Sequence, residues 1–215
     1  MFQNRNDAGV QLAERLIQYK ERDNVIILAL PRGGVVVGYE IAKALKVRLD
    51  VLIVRKIGFP GQQELALGAV SETGTLVLNK ELVSDNEQVK ASLQSEVQRQ
   101  KQEIARRLTL YREGKTIGKL KNAIVILVDD GIATGATLKA AVKTLKREGL
   151  ARLIVGLPVG PQDTLTGIEP LVDELICLEI PPYFVAVGNH YHEFAQVTDT
   201  EVVELLKESK NFLDH

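Results

Sequence analysis

Cysteine, long apolar runs and excess charge are all scarce in this sequence, and each scarcity excludes a class of protein. A single cysteine, Cys177, rules out an internal disulfide, and its apolar neighbours predict a packed, unreactive thiol in a buried strand. No apolar run approaches the roughly 18 residues that a membrane-spanning helix needs, and residues 1–7 lack the apolar segment of a signal peptide. The formal net charge of −1 provides no general basic field for DNA or RNA. We therefore expect a cytoplasmic protein that binds neither nucleic acid nor a membrane.

Apolar strands alternate with amphipathic helices along most of the 215 residues. The pattern predicts strands over residues 25–30, 51–54, 123–128, 153–157 and 175–180. It also predicts a first helix that Asp7 could cap, a helix over residues 37–45, a helix after Thr137 and a closing helix from Asp199. Strands that are apolar on both faces indicate a parallel sheet flanked by helices, which is an α/β fold. Ligands of such sheets bind at the carboxyl ends of the strands, so the loops after residues 30, 54 and 128 should converge on one crevice.

Two segments interrupt this alternation. Residues 57–80 contain several glycines, Pro60 and two short apolar pieces, which indicates a flexible excursion that could form a hairpin. Residues 85–113 are predicted to form a long polar helix with a thin apolar stripe, opened by Asp85 and Gln88 as a capping box. That stripe could pack on the excursion or on a partner chain, in which case the protein is a homodimer. Alternatively, the helix could be a mostly solvated surface helix.

The strongest chemical signal is a pair of acids at the end of a predicted strand. Asp129 and Asp130 follow the apolar residues 125–128, and a loop of small residues then leads into a helix. Two carboxylates at a strand end can accept hydrogen bonds from a diol and can help to hold a divalent cation indirectly. The loop offers backbone N–H groups, the hydroxyls of Thr134 and Thr137, and a helix N-terminus, all of which favour a phosphate. Gly135 allows a close backbone approach, so the pattern predicts a ligand that is both sugar and phosphate.

This segment resembles the phosphoribosyl pyrophosphate (PRPP) signature of type I phosphoribosyltransferases, with Ala136 where a second glycine is usual. Residues 30–34 are similar to the family's pyrophosphate loop, and this similarity implies a cis peptide bond between Pro31 and Arg32. A dinucleotide-binding fingerprint does not fit the glycines of that segment. Residues 55–61 resemble the entry to the flexible catalytic loop of adenine-type members, and residues 183–194 loosely resemble the base-binding hood of oxopurine members.

The resemblance implies a fold and a reaction. The expected architecture is a single type I phosphoribosyltransferase domain over residues 1–215. Its core covers about residues 1–160, with the flexible loop 57–80 and the inserted helix 85–113, and a small C-terminal hood covers about residues 160–215. The implied reaction is Mg²⁺-dependent transfer of ribose 5-phosphate from PRPP to a small nitrogenous base, with release of pyrophosphate, as in nucleotide salvage.

The resemblance also assigns roles to residues. Asp129 and Asp130 would be catalytic, holding the ribose hydroxyls and helping to hold Mg²⁺ largely through those hydroxyls, pyrophosphate and water. Glu64 would be a catalytic proton-transfer group, and it is preferred to Glu72 because it lies nearer the cations. The other assignments are the 5-phosphate site (Ile132, Ala133, Thr134, Gly135, Ala136 and Thr137), the pyrophosphate site (Arg32, Gly33, Gly34, Arg55 and Lys56) and the base site (Tyr183, Phe184, Val187 and Phe194).

Several alternatives remain open at this point. Some relatives sense PRPP or a nucleotide and regulate transcription without catalysis, although the cations and acids of residues 57–74 and the lack of a basic helix-turn-helix segment favour an enzyme. A hydrolase or phosphorylase that acts on a ribosyl phosphate is a further alternative. The acceptor base is also open, because the loop and the hood resemble different members. His190, His192 and Glu193 could instead form a metal site.

Overall fold

The computed structural model describes residues 1–59, 62–78 and 87–213, including their side chains except at residues 59, 62–66, 87–91 and 213. The helices are α1 (Arg5–Arg15), α2 (Gly33–Leu45), α3 (Glu87–Arg112), α4 (Ala136–Leu145), α5 (Gln162–Thr166) and α6 (Asp199–Glu208). The strands are β1 (Val25–Ala29), β2 (Arg48–Val51), β3 (Val54–Phe59), β4 (Gln62–Ser71), β5 (Leu76–Leu78), β6 (Ile124–Val128), β7 (Arg152–Val159) and β8 (Glu174–Glu179). Short 3₁₀ segments cover Ile17–Tyr19, Glu169–Leu171, Val187–His190 and Ser209–Leu213.

Five parallel strands form the central sheet, in the order β2-β1-β6-β7-β8. Because successive residues of a strand face opposite sides, Ile26 and Leu28 pack with α4, whereas Val25 and Ile27 pack with α1 and α2. Every residue of β1 and β6 is buried, and each large apolar side chain among them contributes roughly 1.5–3 kcal/mol of transfer free energy. The predicted α/β fold, a parallel sheet flanked by helices, is confirmed.

The order of the strands creates a crevice between β1 and β6. The chain runs from β1 outward to the edge strand β2, and it later returns to place β6 on the other side of β1. The N–H of Leu30 donates to the carbonyl of Val128 at 2.9 Å, so the two strands end side by side. The loops that follow diverge at such a switch point and leave a ligand-sized opening between them.

Two predicted boundaries are wrong. Residues 51–54 are not one strand, because β2 ends at Val51 and the chain pairs antiparallel with β4 from Val54 onward. The first helix is capped by Asn4 rather than Asp7, since the Asn4 side chain accepts the N–H of Asp7 at 3.0 Å. The closing helix does begin at Asp199, and Thr198 and Glu201 form its capping box.

The segment after β2 forms a second, antiparallel sheet in the order β3-β4-β5, and α3 packs against it. The apolar stripe of α3, which includes Leu93, Ile104 and Tyr111, is buried with residues of β3, β4 and α6. The stripe therefore contacts the chain's own excursion, which was one of the alternatives, and it no longer argues for a partner chain. The proposed capping pair, Asp85 with the side chain of Gln88, lies outside the described residues. Among the helices that the structure describes, none is long and apolar enough to cross a membrane.

Candidate active site

The turn after β1 places Gly33 and Gly34 in close contact with Asp130 and Asp129. The peptide bond between Pro31 and Arg32 is cis, as predicted, and α2 begins directly afterwards at Gly33. A Cβ atom placed on Gly33 would lie 1.8 Å from Oδ2 of Asp130, and one on Gly34 would lie 2.9 Å from the Cα atom of Asp129. Only glycine fits at either position. The absence of side chains here lets the positive end of α2 lie directly against the two carboxyl groups.

The two acids have different surroundings. Asp130 accepts a hydrogen bond from Nε of Arg5 at 2.7 Å, and the exposed fractions of the two side chains are 17% and 11%. The Oδ1 atom of Asp129 instead accepts the N–H of Asp130 at 2.9 Å. Burial raises the pKa of Asp129 well above its usual range, and the neighbouring charge of Asp130 raises it further. Burial and the neighbouring carboxylate thus both favour the neutral form of Asp129.

Arg5 is a functional candidate that no pattern in the sequence indicated. Its Nη1 atom donates to the carbonyl of Ala195 at 2.8 Å, and its guanidinium lies 3.8 Å from the ring centroid of Phe194. Tyr191 supports the same corner, because its hydroxyl donates to the backbone carbonyl of Asp130 at 2.5 Å. The N-terminal helix and the C-terminal segment are therefore joined across the acid pair.

The small-residue loop after β6 leads into an open helix N-terminus. Gly135, with φ of +70°, is the N-cap of α4, and no side chain accepts hydrogen bonds from the first turn. Two hydrogen bonds hold this loop in place. The N–H of Ile132 donates to the carbonyl of Val159 at 3.0 Å, and the hydroxyl of Thr164 donates to the carbonyl of Ala133 at 2.7 Å. The free N–H groups of α4 and the dipole of the helix suit a phosphate dianion. Residues 132–137 thus lie together, adjacent to Asp129 and Asp130.

The predicted cations of β3 face different directions. Nε of Arg55 donates to Oε1 of Gln100 on α3 at 2.9 Å, and burial, with Arg107 nearby, lowers the pKa of Arg55. Lys56 is the next residue of the strand and points to the opposite face. Arg55 is therefore held by α3 in this conformation.

Of the two candidate proton-transfer acids, Glu64 and Glu72, only the side chain of Glu72 is described. The side chain of Glu64 lies outside the described residues. Glu72 is fully buried, and its carboxylate accepts hydrogen bonds from Arg112 and from the N–H of Ile53. In this structure the Glu72 carboxylate therefore serves the fold, and the role of a proton-transfer group remains untested for both acids.

The predicted base-site residues are dispersed over the C-terminal segment. Tyr183 is 89% exposed, whereas Phe184 stacks on the ring of His190 with 5.6 Å between centroids. Val187 packs so close to Gly131 that a Cβ there would lie 2.7 Å from it. Only Phe194 among the four lines the cleft of about 340 Å³ beside the acid pair, together with Arg5, Arg32, Gly33, Ala195, Gln196 and Val197.

The part of the chain that the structure describes contains no ready-made metal-binding cluster. No group of three or more histidine, cysteine, aspartate or glutamate side chains in the described part of the chain is arranged to bind one. The same finding gives no support to a metal site at His190 and His192. Two adjacent acids do suit Mg²⁺, which keeps several waters and commonly takes one or two carboxylates together with phosphate oxygens of a substrate.

Comparison with known proteins agrees with the fold and the site. A family model described as the phosphoribosyl transferase domain matches residues 3–179, and the chain belongs to this family. A Mycobacterium tuberculosis protein named "Putative phosphoribosyl transferase" is 43% identical over 206 residues, which is 96% of this chain but 46% of that protein. The chain thus spans about half the length of the curated relatives it matches.

Solved structures extend the similarity. TT1426 from Thermus thermophilus, whose crystal structure is known, is 39% identical to this chain in sequence. The two structures align with a TM-score of 0.81, over 96% of this chain and 98% of that chain. AQ2163 from Aquifex aeolicus is 11% identical with a TM-score of 0.51, over 82% of this chain and 74% of that one, and this is a likeness of fold alone.

Proposed function

We propose that this chain is a phosphoribosyltransferase that transfers ribose 5-phosphate from PRPP to a nitrogenous base in nucleotide salvage. One observation carries the proposal: Asp129 and Asp130 stand beside the uncapped N-terminus of α4 at the switch point of the sheet. A ligand with vicinal hydroxyls and a terminal phosphate would bind the acid pair through its hydroxyls and the N-terminus of α4 through its phosphate. Family membership supports the same reaction.

The acids and the loop would act on opposite ends of the donor. As the bond from the ribose carbon to pyrophosphate breaks and a carbon–nitrogen bond forms, positive charge develops on the ribose. Asp129 and Asp130 would hold the hydroxyls and favour that charge. Residues 132–137 would hold the 5-phosphate, and this remote binding energy would orient the reacting carbon.

Pyrophosphate would leave over the turn after β1. Arg32, Gly33 and Gly34 border the acid pair there, and Arg55 and Lys56 remain proposed contributors. Mg²⁺ would be held by the donor's own oxygens with help from the acids, and when bound it would neutralise charge on the leaving group. Glu64 remains the proposed proton-transfer group. Tyr183, Phe184, Val187 and Phe194 remain the proposed base site, and a cytoplasmic homodimer remains the proposed assembly.

The test is pyrophosphate release with Mg²⁺, PRPP and a panel of purines, pyrimidines and pyridine carboxylates. The double variant Asp129→Asn, Asp130→Asn should lower turnover by at least about 100-fold, because it removes the charge that stabilises the cationic ribose. Asp23→Asn, the same change at an exposed position before β1, is the matched control and should leave turnover unchanged. Equal turnover in the double variant and the control would refute these roles.

Other outcomes would favour the alternatives. Tight calorimetric binding of PRPP without turnover for any acceptor would favour a non-catalytic sensor. Base released from a ribosyl phosphate, without any need for pyrophosphate, would favour a hydrolase or phosphorylase.

A further inference from the structure

A second concave surface lies at the outer edge of the central sheet and shares no lining residue with the cleft beside the acid pair. We refer to it as the edge groove. It has a volume of about 380 Å³ and is formed by β2, the C-terminal end of α3 and the last two helical segments of the chain. Its β2 residues, Arg48 to Asp50, pair with residues 26–28 of β1, on the side of β1 that faces away from β6. The edge groove is therefore separate from the crevice between β1 and β6.

Positive charge dominates the edge groove. Five cationic side chains and two carboxylates line it, a surplus of three positive charges in a chain whose net charge is −1: Arg48, Arg112, Lys115, Lys207 and Lys210, against Asp50 and Glu113. Glu113 is 3.6 Å from Lys115, and Asp50 is 3.6 Å from Arg112. In the described part of the chain, no carboxylate lies within salt-bridge distance of the other three cations. Three elements thus direct unmatched positive charge at one space.

Arg112 carries two donor atoms at this surface that form no hydrogen bond. Its side chain is only 10% exposed, and its Nη2 atom bonds to Glu72. Its Nε and Nη1 atoms are buried and form no hydrogen bond, although Oδ1 of Asp50 lies 3.6 Å from Nε; they are the only such side-chain atoms among the described residues. An incoming oxyanion would supply the acceptor that these donors lack. The planar guanidinium fork is well suited to phosphate.

Most of the remaining lining is apolar, apart from Thr116 and Ser209. The apolar lining residues are Leu49, Leu110, Tyr111, Val203 and Leu206; Leu110 is 41% exposed, whereas Tyr111 and Leu206 are mostly covered. Inorganic phosphate would leave this surface uncovered, whereas an organic body with a flat or apolar part would cover it. The volume falls within the range of small-molecule sites, about 300–1,000 Å³.

We propose that the edge groove is a second ligand site, specific for a small organic polyphosphate such as a nucleoside triphosphate. The phosphates would lie among Arg112, Lys207 and Lys210, and the organic body would lie against Leu110 and Leu206. The site does not depend on the function proposed for the crevice.

The test is isothermal titration calorimetry of the full chain with ATP, at one fixed salt concentration. Lys207→Glu with Lys210→Glu should weaken ATP binding by about tenfold or more, because two phosphate-facing charges are reversed. The matched control reverses two exposed lysines elsewhere, Lys119→Glu with Lys146→Glu, and should change the affinity less than about twofold, since it alters net charge equally. Arg112 is left intact because Glu72 is buried against it.

Three results would overturn the proposal. ATP could fail to bind the unmodified chain, or the two double variants could lose affinity equally. The third result is that neither variant loses affinity, which would show that ATP binds outside the edge groove. Inorganic tripolyphosphate tests the organic part of the ligand. It should bind more weakly than ATP, and equal affinity would refute the role of the apolar lining. Unchanged melting temperatures in both variants show that any loss is local.

Discussion

Replacing Arg5 with alanine tests whether the N-terminal helix supports the acid pair. The substitution removes three contacts at once: the hydrogen bond from Nε to Asp130, the bond from Nη1 to Ala195, and the guanidinium above Phe194. It leaves the Asp130 carboxylate, only 17% exposed, without its cation.

The magnitude follows from the burial of the pair. Exposed pairs contribute about 0–1 kcal/mol, and removal of one partner from a buried pair costs about 3–5 kcal/mol. This pair is mostly but not fully buried, so we expect a loss of about 2 kcal/mol from it, with about 0.5–1 kcal/mol more from the cation–π contact. For a chain of this size the total corresponds to a fall in melting temperature of roughly 5–10 °C.

Urea unfolding and calorimetry measure this loss, with Arg15→Ala, an exposed arginine of the same helix, as the control. In a double-mutant cycle, Arg5→Ala and Asp130→Asn together should cost less than the sum of the single changes by about 1–2 kcal/mol, because each removes the same pair. Additive losses, or an Arg5→Ala variant as stable as Arg15→Ala, would refute the coupling.

Two further predictions concern single titratable groups. Partial burial raises the pKa of the Cys177 thiol to about 12. Its reaction with a disulfide reagent at about pH 8 should therefore be roughly a thousandfold slower in the folded chain than in urea. Similar rates in the two states would contradict this prediction. Hydrogen bonds from Arg106, and secondarily Arg107, lower the pKa of Glu103 to about 2. Because the pKa is lower in the folded state, the stabilisation is complete above about pH 5 and is lost as the pH falls toward 2. Glu103→Gln should cost about 1 kcal/mol at neutral pH after discounting for solvent exposure, and the deficit in urea unfolding should shrink by pH 3; a deficit independent of pH would contradict it.

The crevice could be predicted from the sequence because local patterns define it. Strands that are apolar on both faces predicted a parallel sheet, and residues at the ends of such strands must share one edge. Asp129, Asp130 and the loop to Thr137 are contiguous, so their proximity follows from chain connectivity alone. Gly33 and Gly34 follow another strand, yet the same rule placed them beside the acids.

Contacts that depend on tertiary packing could not be predicted. Arg5 lies 125 residues from Asp130, and no periodicity or motif relates the two. Arg55 and Lys56 looked equivalent as a basic pair, but alternation along β3 separates them, and Gln100 on α3 holds Arg55. The edge groove is likewise assembled from β2, α3 and α6, which no local pattern brings together.

Glu72 shows how one carboxylate can serve the fold where its position suggested chemistry. It accepts the N–H of Ile53, at 2.9 Å, just before β3, and the N–H of Ile117, at 3.3 Å, after α3. Its third partner is Arg112, which also lines the edge groove. The buried ion pair between Glu72 and Arg112 thus joins the start of β3 to the wall of the edge groove. β3 is also the strand that carries the cations proposed for pyrophosphate. Any ligand that draws the guanidinium of Arg112 toward the groove must therefore act against the hydrogen bonds that hold the start of β3.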